Sequence, residues 1–455
     1  MAVSSVDPQR RRRGSVLLFV LWAMMLVTVA AYVVGHLTAV HVRTSAHRLG
    51  QQRAAELLAS GTHLARHVLW SDRTADDFFN DNWAADESMA GLELDAGTIW
   101  IVGGEDAEVG GEDLRFGLSD ESGKININTA GRATLLGLPN MTPELADNIL
   151  TWRSGQVPVT GEADATEGEP EEGGGGDGYR VEGEGGPKGA RFETIDELLD
   201  VPGMTHPILY GEDVNRNGLL DENENDGDAS WPDDNRDGKL DRGLLAVATV
   251  YSRHTPTPEE KSKKDLNALD RKQLQDLLPD ISEQVAQRIE EFRKANGKYE
   301  SVAELIMIDG VTKENLRDWW PLLRVGEAKV QEGLVNVFTA PVAVLAALEP
   351  LDTEDAERIH DFVRGSYAQP EGLLWLLDLI EKDRFVAVVP LLTTRSERFS
   401  ARIVAASKDG MYWARRHVVF NRSLEGEVTV LYVRDDTRNG PHLPESLLEG
   451  YTGSR

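Results

Sequence analysis

The first long pattern in the chain is an apolar run, SVLLFVLWAMMLVTVAAYVV, with no charged residue between Ser15 and Gly35. A helix rising about 1.5 Å per residue would carry such a run across roughly 30 Å of hydrocarbon, so residues 15–40 are expected to form a transmembrane helix. From His41 to Trp70 polar and apolar residues mix, and Leu49, Leu57, Leu58, Leu64 and Val68 keep returning to one helix face. The membrane helix is therefore expected to continue outward as one rod. GTIWIVGG, LRFGLSD and KININ then read as strands between glycines and acidic turns. Near the C-terminus RFSARIVAAS, MYWARRHVVF and EVTVLYVRDD, separated by SKDG and NRSLEG, read as a three-stranded antiparallel meander. The simplest assembly lays the long helix on a small sheet. A free amphipathic stalk ahead of an unrelated domain has the same pattern, because periodicity does not show what a face packs on.

Between these strands the apolar pattern repeats. Residues 127–149 match residues 337–359 without a gap: Thr129, Ala130, Ala133, Leu135, Leu138, Ala146 and Ile149 recur as Thr339, Ala340, Ala343, Leu345, Leu348, Ala356 and Ile359. A third copy starts at Leu266 with one extra residue in its hairpin. Each copy reads as helix, tight Pro-containing turn, helix: leucines run at helical spacing to the turn, and Thr, Ser or Asp then caps the next helix. IDELLDVPGMTHPILYG and VAELIMIDGVTKENLRDWW have the same outline in shorter form. These are helix-hairpin-helix units. Such a unit binds nucleic acid when a glycine turn offers N–H groups to a phosphate. The full copies instead carry PNM, PDI and EPL at the turn, and only VPGM and IDGV keep the glycine. Structural or protein-contacting use is the favoured reading, and DNA contact the alternative.

Composition sharpens that choice. The 455 residues suffice for two or three lobes with real cores, and the net charge of -29 argues against broad phosphate-backbone binding. Acid excess suits cation binding or solubility. There is no cysteine, so an exported fold must be held by packing or by hard metal ions. The ten histidines show no H-E-x-x-H or paired ligand spacing, and no Gly-rich phosphate loop follows a strand. A non-enzyme is expected.

The strongest chemical motif lies among the repeats. DVNRNGLLDENE, Asp213 to Glu224, matches D-x-[DN]-x-[DN]-G-x5-E residue for residue. Asp213, Asn215 and Asn217 offer alternating side-chain oxygens, Gly218 allows the sharp bend, and Leu219 offers its carbonyl. Asp221 stands at the ninth position and Glu224 can chelate with both oxygens, so the spacing predicts a calcium site; a solvated acidic loop is the plain alternative. A second loop offers Asp233, Asn235, Asp237, the Lys239 carbonyl and Asp241, but its twelfth position is Leu244. A second calcium would need a carboxylate from elsewhere, such as Glu222, Asp226 or Asp228. No pair of long helices flanks either loop, so the sites are expected to be structural clamps and not sensors. Residues 156–189, rich in Gly, Glu and Pro, read as a flexible insertion.

At the N-terminus Arg10 to Arg13 precede the apolar run, and such flanking charges stay cytoplasmic, which places the bulk of the chain on the far side. An ordinary cleaved signal has a shorter apolar region, a twin-arginine signal a weaker one, and a plain anchor fits equally. Gly14 stands between the basic leader and the helix, where a peptidase at the cytoplasmic face would cut between Gly14 and Ser15. That arrangement resembles a type IV prepilin-like signal, although most pilins carry Glu at the fifth mature position and this chain has Phe19.

Taken with DESGKININTA, RFETIDELLDVPGM, TVYS, LVNVFTAP and the closing strands, the sequence resembles the type II secretion system protein K family, the large minor pseudopilins also called general secretion pathway protein K. The resemblance covers most of residues 10–435. It implies an α+β fold: a pilin-like long N-terminal helix packed on a small antiparallel sheet, with a large inserted helical domain of helix-hairpin-helix repeats. It also implies calcium near the insertion and a place at the tip of a periplasmic pseudopilus beside minor pseudopilins I and J, supporting export of folded proteins across the outer membrane. Prepilin peptidase is then a partner, no nucleic acid is expected, and the chain crosses the bacterial inner membrane once with a cytoplasmic N-terminus and a periplasmic bulk. Phe19 fits by analogy, since a tip subunit has no subunit ahead whose N-terminus a Glu would neutralise. The expected layout is a leader at 1–14, the span at 15–40, pilin-like helix and strands at 41–125, and the inserted helical domain with the calcium loops at 126–325. A further helix-hairpin-helix unit at 326–390, the C-terminal sheet at 391–437 and a loose tail at 438–455 complete it. The alternative of another class is a membrane-anchored DNA-binding protein of a competence-type uptake system.

Overall fold

The computed structural model of the chain describes residues 10–72, 74–103, 115–155, 186–216, 218, 220–365, 372–408 and 410–439, with backbone alone for 10–15. The leader ahead of residue 10, most of the expected flexible insertion and nearly all of the expected loose tail lie outside the described residues.

Helix α1 runs unbroken from Arg10 to Ser71 and has two environments. From Val16 to Leu49 its side chains are exposed almost throughout, whereas Gly50, Ala54, Leu57, Leu58, Gly61, Ala65 and Leu69 are buried. The buried seam thus differs from the leucine face read in the sequence: Leu49 is exposed, and small residues fill the middle of the contact. The reason is distance. A Cβ on Gly61 would lie 2.5 Å from Ile403 and 2.8 Å from Ile99, and one on Gly50 would lie 2.3 Å from the Tyr412 ring. A helix can approach a sheet that closely only where it carries almost no side chain.

After α1 the chain forms strands β1 (Ala90–Leu94), β2 (Gly97–Val102) and β3 (Ser119–Asp120) and then leaves the sheet. Asp120 turns it away by accepting the Ser122 N–H at 2.7 Å. LRFGLSD therefore yields only β3 and a bridge from Phe116 to Val102, and KININ supplies a short strand in the helical part.

That helical part consists of three similar units. The first contains β4 (Ile125–Asn126), α2 (Arg132–Leu136), α3 (Pro143–Ser154), a 3-10 turn (Ile195–Asp200), α4 (His206–Tyr210) and β5 (Ala248–Thr249). After α5 (Pro258–Ser262) the second contains β6 (Lys264–Asp265), α6 (Arg271–Leu277), α7 (Glu283–Asn296), a 3-10 turn (Val302–Met307), α8 (Lys313–Trp319) and β7 (Leu323–Arg324). The third contains β8 (Val335–Asn336), α9 (Val342–Ala346), α10 (Thr353–Gly365), a 3-10 turn (Leu374–Asp378), α11 (Lys382–Val388) and β9 (Leu392–Thr393). Each unit closes on itself through a parallel pair, β4 with β5, β6 with β7 and β8 with β9. Each is two hairpins, so the copy at 337–359 has a shorter partner, around Leu374–Val388, that the sequence reading missed.

Equivalent residues do equivalent work. Asn126, Asp265 and Asn336 each cap the turn after their strand, accepting the N–H of Asn128, Asn267 and Phe338 at 2.9, 3.0 and 3.1 Å. Asn148 and Arg288 each donate across the hairpin pair, to the Pro202 and Asp309 carbonyls. One contiguous apolar core joins the units.

The chain returns to the sheet as β10 (Arg398–Ser407), β11 (Trp413–Arg422) and β12 (Val428–Asp435), the antiparallel meander expected. The sheet order is β1-β2-β10-β11-β12, with β3 also pairing β10. Strand β10 meets β2 with Ile403 opposite Ile101, and these side chains form the second core with α1. The architecture is a long N-terminal helix on a small antiparallel sheet, with a large helical insertion between β3 and β10.

Candidate metal centre

The predicted calcium loop sits between α4 and β5. Its two ends are pinched together by glycines in positive φ, Gly211 at 63° and Gly243 at 55°. A Cβ on Gly211 would lie 2.1 Å from the Asp241 carbonyl, and the Glu212 N–H donates to that carbonyl at 2.7 Å. Residues 212–241 therefore leave and re-enter the helical unit side by side.

Within the loop, the residues of the twelve-position pattern are linked by hydrogen bonds. Asp213, 2% exposed, accepts the Gly218 N–H at 2.9 Å, and Gly218 supplies the positive φ of 74° that the bend needs. Asn215 donates to Asp221 at 2.6 Å, and the Asp221 N–H donates to Glu224 Oε2 at 3.1 Å. Glu224 is 1% exposed, and its other oxygen, Oε1, is buried without a hydrogen-bond partner. Burial, joined by the charges of Asp213 and Asp221, pushes its carboxyl up to about 8. A buried carboxylate oxygen with no donor, beside two further acids, is chemistry that suits a hard cation. Asp213, Asn215, Asp221 and Glu224 are the residues that would hold it. Asn217 and Leu219 lie outside the described residues.

The second loop is arranged differently from its sequence reading. Asn235 accepts the Asp237 N–H, Asp237 the Lys239 N–H, and Asp241 the Gly243 N–H, each at 2.8 Å, so these side chains shape their own turns. Asp233, Asn235, Asp237 and Lys239 are exposed. Of the carboxylates suggested from elsewhere, Glu222 and Asp228 are exposed, and Asp226 is engaged by Ser230. The acid that reaches this loop is Glu212. It is buried, accepts the Asp241 N–H at 3.1 Å, and is raised by burial and by the charges of Asp241 and Asp234. Its only sequence signal was its place directly before Asp213.

Among the described residues one set of three acids brings its oxygens within 4.8 Å of one another, a geometry that could coordinate a metal ion: Asp72, Asp77 and Asp81. Asp213, Asp221 and Glu224 stand farther apart than that. Positive charge at the tighter cluster already comes from Arg422, which bonds both Asp72 and Asp77.

The expected processing pair, Gly14 and Ser15, falls in the first turns of α1. The stretch that follows is long and apolar enough to cross a membrane, as an anchor or as a signal sequence.

The fold is a helix-and-sheet scaffold that carries a large helical insertion containing a helix-hairpin-helix motif. Residues 260–324 match the helix-hairpin-helix motif. Among solved structures the chain is similar to the GspK-GspI-GspJ complex of the type 2 secretion system from enterotoxigenic Escherichia coli, with 13% identity and a TM-score of 0.37. That match covers 86% of this chain and 99% of the other. No curated protein matches.

Proposed function

We propose that the chain is a minor pseudopilin of a type II protein secretion system, seated at the tip of the periplasmic pseudopilus and acting by docking rather than by turnover. The observation that carries this reading is the division of α1. One continuous helix leaves residues Val16–Leu49 bare, apolar as far as Gly35, and packs its remainder on the sheet. Such a surface suits lipid first and the helices of neighbouring subunits later, because both are apolar. The motifs shared with the protein K family add the partners: minor pseudopilins of the I and J type, and prepilin peptidase cutting after Gly14. The inner membrane then holds the chain once, N-terminus inside, until assembly.

Calcium in the loop 213–224 belongs to the same reading. When bound, the ion supplies charge that neutralises Asp213, Asp221 and Glu224 and fixes an irregular loop against the sheet.

The exposed turns favour protein over nucleic acid as partner. Asn140, Asp280, Asp309 and Glu349 stand at the hairpin tips, three of them acids, and Arg288, the cation at the Asp309 tip, is paired with Asp309 itself at 2.9 Å. A salt-sensitive gel shift of the chain with duplex DNA would overturn that part.

Mass spectrometry of the mature N-terminus tests the whole. A start at Ser15, methylated, is expected in cells with the secretion system. A start near Val40, or an intact leader, would sink the pseudopilin reading.

A further inference from the structure

Three arginines converge on the backbone of the first calcium loop. Arg415 of β11 donates Nη2 to the Asn215 carbonyl at 2.6 Å, and Arg402 of β10 donates Nη1 to the Arg216 carbonyl at 3.3 Å. Arg242, at the loop's far end, donates to the Gly218 carbonyl at 2.7 Å. A Cβ on Gly218 would lie 2.8 Å from Arg402 and 2.9 Å from Arg242, so the guanidinium groups press directly on the bend. The carbonyls they take belong to the third, fourth and sixth positions of the pattern, interleaved with the side-chain ligands.

Arg415 differs from the other two. It is 2% exposed, and its Nε and Nη1 are buried without hydrogen-bond partners. Burial opposes its charge and lowers the guanidinium to about 10, against the favourable charges of Asp436 and, more weakly, of Asp213, the first ligand position. At the same loop Glu224 Oε1 is a buried acceptor without a donor. A buried cation with unused donors and a buried acid with an unused acceptor thus share one loop, and simple docking of the loop on the sheet requires neither.

We propose that Arg415 is the resident counter-ion of this loop: it steadies the acids in the cation-free state and repels calcium when calcium enters, so it sets the affinity low. The inference rests on the calcium reading and adds its regulation. A fixed positive charge several Å from a divalent ion costs about tenfold in the binding constant even at the dielectric of bulk water. The site would then fill in the 0.1–1 mM range typical of calcium modules outside cells, near values of about 10⁻⁴ to 10⁻³ M.

The test uses the full chain in detergent, with calcium followed by calorimetry and by melts in chelator and in excess calcium. Arg415→Gln is expected to melt lower than wild type in chelator, yet to bind calcium about tenfold tighter and to gain more from saturating calcium. Arg415→Lys, which keeps the charge, holds the wild-type affinity. If Arg415→Gln fails to fold, Arg402→Gln is read in the same way, with the same signs. Equal losses in both melts, with affinity unchanged or weakened, would overturn the proposal and leave Arg415 a structural residue. Wild type that neither binds calcium nor shifts its melt is a separate result, which removes the calcium reading itself.

Discussion

Arg422 donates Nη2 to both carboxylate oxygens of Asp77, at 2.6 and 2.7 Å, and the two residues are 8% and 0% exposed. The same guanidinium holds Asp72 just past the end of α1, while Asp77 accepts the Ser396 N–H at 2.7 Å. Asn336, at the start of the third helical unit, donates to the Asp77 carbonyl at 3.0 Å and to Asp120 at 2.9 Å. The end of α1, the point where the chain leaves the sheet and the point where it returns are therefore tied at one buried knot. Arg422→Met strands two acids there. Urea denaturation is expected to show a loss of about 3–5 kcal/mol, the range for removing one partner of a buried ion pair. A loss below about 1 kcal/mol would mean that water relieves the acids and that the knot is not a structural joint.

What was legible in the sequence was what short-range periodicity encodes. The long helix, strand β2, the closing meander and five of the hairpins follow from apolar spacing and from turn residues such as Pro139, Gly203 and Gly310. The hairpin around Leu374–Val388 escaped because LLDLIEKD has no Gly or Pro at its turn. At two turns where a glycine would be expected, Asn140 and Asp280 take positive φ of 57° and 54°, as short polar side chains can. The buried face of α1 escaped because leucine spacing does not register Gly50 and Gly61, whose value lies in what they lack. Glu212 escaped because it meets the second loop only through the pinch between Gly211 and Gly243. None of these depends on neighbours in sequence, and pattern reading sees little else.

Gly61→Val should separate the helix from the sheet. The new Cβ would fall 2.5 Å from Ile403, which is fully buried in the middle of the core, and neither it nor Ile99 can retreat without moving a strand. Replacing Gly in a helix ordinarily gains a few tenths of a kcal/mol, but overpacking costs about 1–3 kcal/mol or more. A lower melting temperature with unchanged helix content by circular dichroism is expected. A melt at or above that of wild type would show that α1 can lift off the sheet at no cost.

Glu260 makes a pH-dependent contact outside the metal loops. Burial opposes its ionisation, but the His254 hydrogen bond, the Thr257 N–H at 2.7 Å and the Arg395 charge outweigh this and hold the carboxyl down at about 2, against an ordinary 4.5. As pH falls the unfolded chain takes up this proton first. The contribution is thus complete above about 4.5 and is lost as pH falls toward 2. Because the side chain is 37% exposed, water screens the pair and about 1 kcal/mol is expected. The stability difference between wild type and Glu260→Gln, measured at pH 7, 5.5 and 2.5, should shrink only at the last. A difference at pH 2.5 as large as that at pH 7 would show that these contacts do not hold the Glu260 carboxyl down.

The calcium loop makes the last prediction, and its signs differ between the two states. With calcium at a hundredfold excess over its Kd, wild type should gain about 2.7 kcal/mol over its state in chelator, because the ion binds the folded loop alone. Asp213→Ala and Glu224→Gln should abolish that gain, since each removes a ligand oxygen that no described neighbour replaces. In chelator the outcome for Glu224→Gln reverses. Its carboxyl, pushed up to about 8 by burial and by the charges of Asp213 and Asp221, is already largely uncharged at neutral pH without the ion, so a neutral amide costs little, and the variant should melt no lower than wild type. Asp213→Ala should melt lower even there, because it deletes the acceptor for the Gly218 N–H that shapes the bend. If both variants keep the calcium gain, the ion binds elsewhere, and the cluster of Asp72, Asp77 and Asp81 is the next place to look.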